Sequence, residues 1–306
     1  ILLLPYRKSH TYLSIILLLS GDISLNPGPQ FYQNNNIWSC FKSRGIHLLH
    51  LNINSLLPKI DEVRDFIKKS NASVLGLTET KLDDSISNQE IDIQGYILIR
   101  SDRNRHGGGV ACYIKNNLCF QKNNFFTDEI ENLFFDILLP KSKPFTVGIF
   151  YRPPNQNQFI EKINEDFHNL NCENKEVYIL GDLNINLFVN GKYTCEKNNN
   201  FLVGTEALQS LCRQYKEFCS FFSLTQLIKS PTRITCSSST LLDHILTNTP
   251  DKVKQAGIID ISISDHQLIY CTRKIWREKI NKHKYVKQRN FRNFDSANFL
   301  SLLQLI

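Results

Sequence analysis

Val177-Tyr178-Ile179-Leu180-Gly181-Asp182-Leu183-Asn184 is the stretch on which the architecture turns. Four β-forming apolar residues in a row, closed by Gly-Asp, read as a short buried strand with a carboxylate at its end. Strand ends are where a sheet fold can gather distant side chains into one cleft. The question posed by Asp182 and Asn184 is therefore which other polar groups end strands.

Working outward, apolar runs and amphipathic runs alternate. Ile46 to Ile53 reads as an apolar strand and Leu57 to Lys69 as a helix with Ile60, Val63 and Ile67 on one face. Ser73 to Thr78 reads as a short buried strand. Tyr96 to Arg100, Gly109 to Ile114, Leu133 to Leu139 and Phe145 to Tyr151 are β-rich. Phe159 to Leu170 is helical, with Ile160, Ile163 and Phe167 facing a core, and Ala207 to Phe222 is helical too. Leu242 to Leu246, Gly257 to Ile263 and Gln267 to Thr272 read as closing strands. Mixed strands and helices of this kind predict sheet layers covered by helices. An apolar content of 42% with 21% charged residues fits a globular chain with a sizeable core.

Several strands end in polar groups. Asn52 and Asn54 end the first, Glu79 ends the second, Asp243-His244 opens another, and Ser264-Asp265-His266 lies between two. Singly, each has a simpler reading. Asn52 or Asn184 could cap a turn, Glu79 could be a first-turn helix acid, and Asp265-His266 could be a structural ion pair. Gly107-Gly108-Gly109 suggests a phosphate cradle, but neither Lys-Ser/Thr nor a helix follows, so a P-loop is rejected and the glycines read as a turn.

Taken in order, the segments HLNINSL around Asn52, GLTETKL around Glu79, GIFYRPPN around Tyr151, LGDLNIN around Asp182, LLDHILTN around Asp243 and ISDHQLI around Asp265 resemble the endonuclease/exonuclease/phosphatase superfamily. The nearer resemblance is to the apurinic-endonuclease-like domain of non-LTR (LINE-type) retrotransposons, over roughly residues 45 to 273. It implies an α/β fold, a four-layer sandwich of two packed mixed β-sheets flanked by helices. It also implies a metal-dependent DNA endonuclease that nicks a target strand, leaving a 3′-hydroxyl to prime reverse transcription. A phosphatase or exonuclease of the same superfamily, and a catalytically dead nucleic-acid-binding relic, are the alternatives.

The resemblance implies roles as well. Glu79 would hold Mg²⁺, with Mn²⁺ as the substitute, since hard cations prefer carboxylate oxygen. Asn52, Asn54 and Asp265 would complete that metal shell, although family members often carry Asp at the Asn54 position. Asp182 would orient or deprotonate the attacking water. Asn184 would donate to the phosphate oxygen where charge develops. His266, held by Asp243, and Tyr151 would face the same phosphate, and Thr235 would contact phosphate or DNA. The implied partners are target DNA and, within the same polyprotein, the element's RNA and reverse transcriptase. No stable membrane partner is expected, and the nucleus, after cytoplasmic synthesis, is the expected location.

Ahead of this region, Gly21 to Pro29 reads GDISLNPGP and resembles the 2A peptide. The resemblance places a ribosome-skipping break between Gly28 and Pro29, with Asn26-Pro27-Gly28 as a tight turn and Pro29 as a poor nucleophile. Ser24 stands where that family usually has Glu. The apolar run Leu13 to Leu19 is too short to span a bilayer, which takes about 20 residues, and could serve as the apolar part of a signal peptide. The expected organisation is a leader over 1–29, a polar linker over 30–44, the nuclease domain over 45–273 and a basic linker over 274–306. The start at Ile1, the lack of Met and the apolar Phe299 to Ile306 suggest a piece of a longer frame.

Nine scattered cysteines with no C-x-x-C pair exclude zinc-site spacing and argue against a disulfide framework. A reducing compartment fits such usage. The net charge is +7. From Arg273 onward there are nine basic and two acidic residues, which leaves residues 1–272 neutral. Trp276, Tyr285 and Phe291 interleave that basic run, which suits either nucleic-acid contact or a solvated linker helix.

Overall fold

The computed structural model describes residues 37–123, 130–154, 156, 158–170, 174–189, 192–193, 206–275 and 291–305. The 2A-like residues Asn26, Pro27, Gly28 and Pro29, the apolar leader and most of the basic stretch lie outside the described residues.

Sixteen strands are described. In chain order they are β1 (Ile46–Asn52), β2 (Val74–Thr78), β3 (Tyr96–Ser101), β4 (Val110–Lys115), β5 (Cys119–Asn123), β6 (Glu131–Leu138), β7 (Phe145–Tyr151) and β8 (Glu176–Asp182). Then come β9 (Phe188–Val189), β10 (Lys192–Tyr193), β11 (Thr225–Gln226), β12 (Arg233–Ile234), β13 (Ser239–Thr240), β14 (Asp243–Thr247), β15 (Val253–Ile259) and β16 (Leu268–Arg273). The α-helices are α1 (Ile60–Ser70), α2 (Phe159–Leu170), α3 (Glu206–Phe221) and α4 (Ser296–Leu303). Two six-stranded mixed sheets result, ordered β15-β16-β1-β2-β4-β3 and β11-β14-β8-β7-β6-β5.

Each sheet is built round one parallel pair joined through a helix. In the first sheet β1 and β2 pair in parallel, with Asn52 beside Thr78, and α1 connects them. In the second, β7 and β8 pair in parallel, with Tyr151 beside Asp182, and α2 connects them. Parallel pairing brings the ends of both strands to one edge, which is why Asn52 and Glu79, and Tyr151 and Asp182, come out as neighbours.

The apolar runs divide their side chains between two cores. Leu48, Val74 and Cys112 of the first sheet face Phe134, Val147, Ile149 and Leu180 of the second. Leu49, Leu51, Leu75 and Tyr113 turn outward onto Val63, Phe66 and Ile67 of α1. The sheets pack tightly at Gly76. A Cβ there would lie 2.5 Å from Cδ1 of Ile149, so a larger residue would push the layers apart. α1 ends where Asn71 adopts φ 53° and donates its N–H to the Ile67 carbonyl, a left-handed C-cap that suits Asn. On the far side of the second sheet α2 and α3 pack through Phe167 and Phe218, with ring centroids 5.0 Å apart. The helix–sheet–sheet–helix order is the predicted four-layer sandwich.

Local structure adds to or shifts the expected outline in three places. Within the expected linker, Ile37–Lys42 is a 3₁₀ turn whose Phe41 is buried and whose Trp38 stacks near Phe66, so the folded unit begins before residue 45. The strand expected over Gly257 to Ile263 is instead Val253–Ile259. Asp260 then accepts the Ser262 N–H, and Ser262 takes φ 55°, which ends the extended run. In the expected basic linker, Ser296–Leu303 is helical, and Asp295 caps it by accepting from Ala297 and Asn298.

Candidate active site

The site is assembled at the edge where β1, β2, β7 and β8 end. Asn52 is its hinge. Both N–H groups of its buried amide are used, one donating to Glu79 Oε1 at 2.9 Å and the other to Asp182 Oδ2 at 2.7 Å. One side chain thus ties the end of the first sheet to the end of the second. Its Oδ1 accepts the backbone N–H of Asn54 at 3.1 Å, which holds Asn54 at φ 46°. Tyr151 adds a hydrogen bond from its hydroxyl to Glu79 Oε1 at 3.1 Å. Burial, with the Glu79 charge close by, raises the Tyr151 phenol, so it stays a donor.

Asp182 is buried beside a second carboxylate, Asp243, its register partner across β14. Burial first, then the Asp243 charge, push the Asp182 carboxyl well above the usual carboxylate range, while His266 and the Asn52 amide pull the other way. Asp243 moves in the opposite direction. Burial raises it, but the His266 charge, the bond from His266 Nδ1 to Asp243 Oδ2 at 2.8 Å, and the nearby His50 and Thr232 together outweigh burial and lower it. For His266, burial alone would lower the imidazole. The Asp243 carboxylate, joined by the Asp182 and Asp265 charges, more than offsets that and lifts it to about 9, so the ring is an imidazolium at neutral pH.

Asn184 follows Asp182 round a turn at φ 48°. Its backbone N–H donates to Asp182 Oδ1 at 3.0 Å and its side-chain amide donates to the Arg152 carbonyl at 2.8 Å.

Of the residues predicted from the sequence, the structure brings Asn52, Glu79, Tyr151, Asp182, Asn184, Asp243 and His266 together. Three others sit differently. Asn54 is exposed and its Oδ1 accepts from Lys81 Nζ at 2.5 Å. Asp265 is gripped by Arg233 through Nε at 3.0 Å and Nη2 at 2.9 Å, beside the cluster rather than within it. Thr235 is in the β12–β13 turn, where its hydroxyl accepts from Ser237 and Ser238.

The structure also shows groups that the motifs alone did not single out. Thr232 is fully buried, and its Oγ1 accepts the N–H groups of both Leu242 and Asp243 at 3.1 Å, fixing where Asp243 starts. His50 stands behind Asp243, with Nδ1 3.7 Å from Oδ1 and Nε2 3.1 Å from the Thr78 hydroxyl. Burial drives His50 down to about 4, so it is neutral. The only signal for His50 was a polar residue inside an apolar strand two positions before Asn52. Gly108 and Gly109, at φ 67° and 85°, pass between Arg103 and Glu131, and Lys81 N–H donates to the Gly108 carbonyl at 3.0 Å. The glycines therefore buttress the Glu79 turn.

The donor set suits a hard divalent cation. Carboxylate oxygens of Asp182 and Asp243 lie within 4.8 Å of one another, with the His266 imidazolium beside them as a hydrogen-bond donor rather than a ligand. Asp243 Oδ1 is buried with no hydrogen-bond partner among the described residues. Glu79 keeps Oε2 clear of both Asn52 and Tyr151, with Lys81 3.9 Å away. Carboxylate oxygens on a partly open edge are what Mg²⁺ or Mn²⁺ selects.

Comparison with known proteins agrees with this geometry. No curated protein sequence matches the chain. Among solved structures, the endonuclease domain of TRAS1, a telomere-specific non-LTR retrotransposon, superposes with a TM-score of 0.57 at 13% identity, over 76% of this chain and 100% of that one. The AP endonuclease LMAP from Leishmania major gives 0.62 at 16% identity, over 76% and 89%. The 3′-5′ exonuclease NExo from Neisseria meningitidis gives 0.57 at 15% identity, over 75% and 100%. At such identities the likeness is one of fold. The sequence model described as the Endonuclease/Exonuclease/phosphatase family matches residues 49–266, from β1 through His266. Since that match takes in well over half of the chain and every clustered residue, the chain belongs to the endonuclease/exonuclease/phosphatase family.

Proposed function

We propose that the protein is a divalent-metal-dependent DNA endonuclease of a non-LTR retrotransposon, cutting one strand to leave a 3′-hydroxyl from which the element's RNA is copied. The observation that carries the hydrolytic half is the Asn52 bridge. It places Glu79 of one sheet and Asp182 of the other on a single site, beside the Asp243–His266 pair.

The chain's own groups divide the work. Asp182, its carboxyl raised toward neutrality, accepts a proton from the attacking water. Water oxygen bonds to phosphorus, the bond from phosphorus to the 3′-oxygen breaks, and that oxygen leaves as an alkoxide that takes a proton from solvent to become the hydroxyl, while Asp182 returns its proton to solvent. The His266 imidazolium, an Asn184 N–H and the Tyr151 hydroxyl stabilise charge on the phosphate oxygens. Asp243 keeps His266 protonated and aimed. Glu79 and Asn52, with Asn54 and Asp265 at the margin, would hold Mg²⁺ or Mn²⁺, which would supply charge neutralisation and Lewis acidity.

The polymer substrate is supported by the likeness to the TRAS1 endonuclease domain and by the basic residues that follow β16. The polyprotein partners, RNA and reverse transcriptase, and a nuclear location follow from the same retrotransposon reading. A phosphatase or exonuclease activity is the competing reading, favoured by the likeness to the Neisseria exonuclease. The full chain should convert supercoiled plasmid to nicked circles with Mg²⁺, and Glu79→Ala should abolish this. Release of phosphate from 3′-phosphorylated ends without plasmid nicking would favour the competing reading. Binding without turnover, equal in wild type and Glu79→Ala, would leave a relic.

A further inference from the structure

We propose that Arg152 is a positioning residue for the catalytic turn, and that it sets Asn184 and Asp182 for attack without touching substrate. The residue immediately follows Tyr151 and has only 4% of its surface exposed. Buried arginines are rare unless paired with a carboxylate. This one spends its guanidinium on carbonyls instead. Nη1 donates to Leu183 at 3.3 Å and to Asn184 at 3.2 Å, and Nη2 donates to Gln156 at 2.9 Å. The main chain of Arg152 closes the same turn from the other side. Its N–H donates to the Asp182 carbonyl at 2.9 Å, and its carbonyl accepts the Asn184 side-chain amide at 2.8 Å.

Every backbone carbonyl of Asp182-Leu183-Asn184 is thereby held by one residue. The geometry has two consequences. Asn184 is fixed at φ 48°, a left-handed conformation that costs a non-glycine residue energy and persists only when its surroundings impose it. One N–H of the Asn184 amide is committed to the Arg152 carbonyl, which orients the second for a phosphate oxygen. The Asn184 backbone N–H, aligned by the same turn, donates to Asp182 Oδ1 and aims that carboxylate. A planar fork with several N–H groups can bridge three carbonyls at once, whereas an ammonium cannot reproduce that geometry. The guanidinium also lies over the Phe159 ring, 6.0 Å from its centroid, so α2 backs it.

The catalytic consequence rests on the nuclease reading above; the positional one does not. In the full chain, Arg152→Lys should lower kcat for plasmid nicking about 100-fold, the scale of one misplaced oxyanion donor, and leave KM within about threefold. Because Arg152 acts partly through the Asn184 side chain, the double variant Arg152→Lys/Asn184→Ala should lose clearly less activity than the product of the two single losses. Fully additive losses, or a raised KM with kcat intact, would overturn the proposal. The side-chain amide resonance of Asn184, assigned by its disappearance in Asn184→Ala, should shift in Arg152→Lys while that of Asn52 stays put. An unmoved Asn184 resonance overturns the proposal even if the wild-type chain nicks no DNA. Should Arg152→Lys not fold, Arg152→Gln keeps a planar donor at lower desolvation cost and should show the same resonance shift.

Discussion

Strand β8 carries a buried carboxylate at each end, and the two behave in opposite ways. Glu176 opens the strand. It accepts from Arg273 Nε at 2.5 Å and Nη2 at 2.9 Å, from Lys252 at 2.8 Å and from the Tyr178 hydroxyl at 3.0 Å. Burial raises its carboxyl, but these cations and hydrogen bonds outweigh burial and lower it. Asp182 closes the strand. It is as deeply buried, yet its strongest charged neighbour is another carboxylate, and its carboxyl goes up. Six residues separate a carboxylate saturated by cations from one that faces a like charge. Burial is common to both ends, so partner choice decides whether a carboxylate stabilises the fold or is kept reactive.

The sharpest way to break this contrast is to neutralise each carboxylate. Asp182→Asn should reduce nicking by about 10³-fold, within the range for loss of a positioned base. Its unfolding midpoint in urea at pH 8 should equal or exceed that of the wild type, because an uncomfortable charge is removed. A large stability loss with activity retained per folded molecule would make Asp182 structural and erase the contrast. Glu176→Gln should do the reverse. Leaving Arg273 buried beside a neutral amide should cost about 3 kcal/mol, read from the same urea curves, while kcat of the folded fraction stays unchanged.

The pH dependence sharpens the same point by its sign. Glu176 has a folded-state value below its unfolded one. Its contribution is present above the unfolded value and is lost as pH falls through the folded one. Asp182 has a folded-state value above its unfolded one. Its contribution is present at acid pH and is lost as pH rises toward neutrality. His50 and His244, buried neutral and lowered to about 4, also lose stability as pH falls below 6.5, so the wild-type curve mixes these effects. The difference between wild type and Asp182→Asn cancels what the two share and leaves Asp182 with the part of the His266 rise that its charge supports, both of which favour the wild type less as pH rises. Urea midpoints from pH 4 to 8 should show the variant gaining on the wild type as pH rises. A constant gap across that range would mean that Asp182 is not shifted upward. The effect is smaller than that of Glu176→Gln because the Asn52 amide and the Asn184 N–H still stabilise the anion.

The contrast also explains what could be read from the chain. The clustered residues were legible because their segments resemble the family in order, and several of them also end apolar runs that parallel pairing sends to one edge. Asn52, Glu79, Tyr151 and Asp182 are of this kind. Asp265 and Thr235 lie in loops, where no periodicity constrains direction, and one of them meets Arg233 while the other caps its own turn. Arg152 was visible in GIFYRPPN but gave no hint of burial, since arginine in a loop is ordinarily solvated. The shifted strand boundary at Ile259 has a local cause, the hydrogen bond to Asp260, which an apolar pattern running on to Ile263 conceals. Ile37–Lys42 was hidden by the polar residues before it, although Trp38 and Phe41 are the kind of side chains that seek a core.

The smallest effect separates two threonines three positions apart. Thr232 and Thr235 both accept two backbone N–H groups, so their hydrogen bonding looks alike. Burial distinguishes them. Thr232→Val would leave the Leu242 and Asp243 N–H groups without their acceptor around a buried side chain, at about 1–3 kcal/mol. It should also slow nicking, since the Asp243 that holds His266 would lose its anchor. Thr235→Ala frees the N–H groups of Ser237 and Ser238 in an exposed turn where water replaces the hydroxyl, so stability should move by about 0.5 kcal/mol or less. What remains for Thr235 is the contact with DNA. If the hairpin turn touches a phosphate, Thr235→Ala should raise KM for duplex DNA several-fold with kcat unchanged. Unaltered KM would remove Thr235 from the substrate surface and leave Thr232 as the member of that segment on which the site depends.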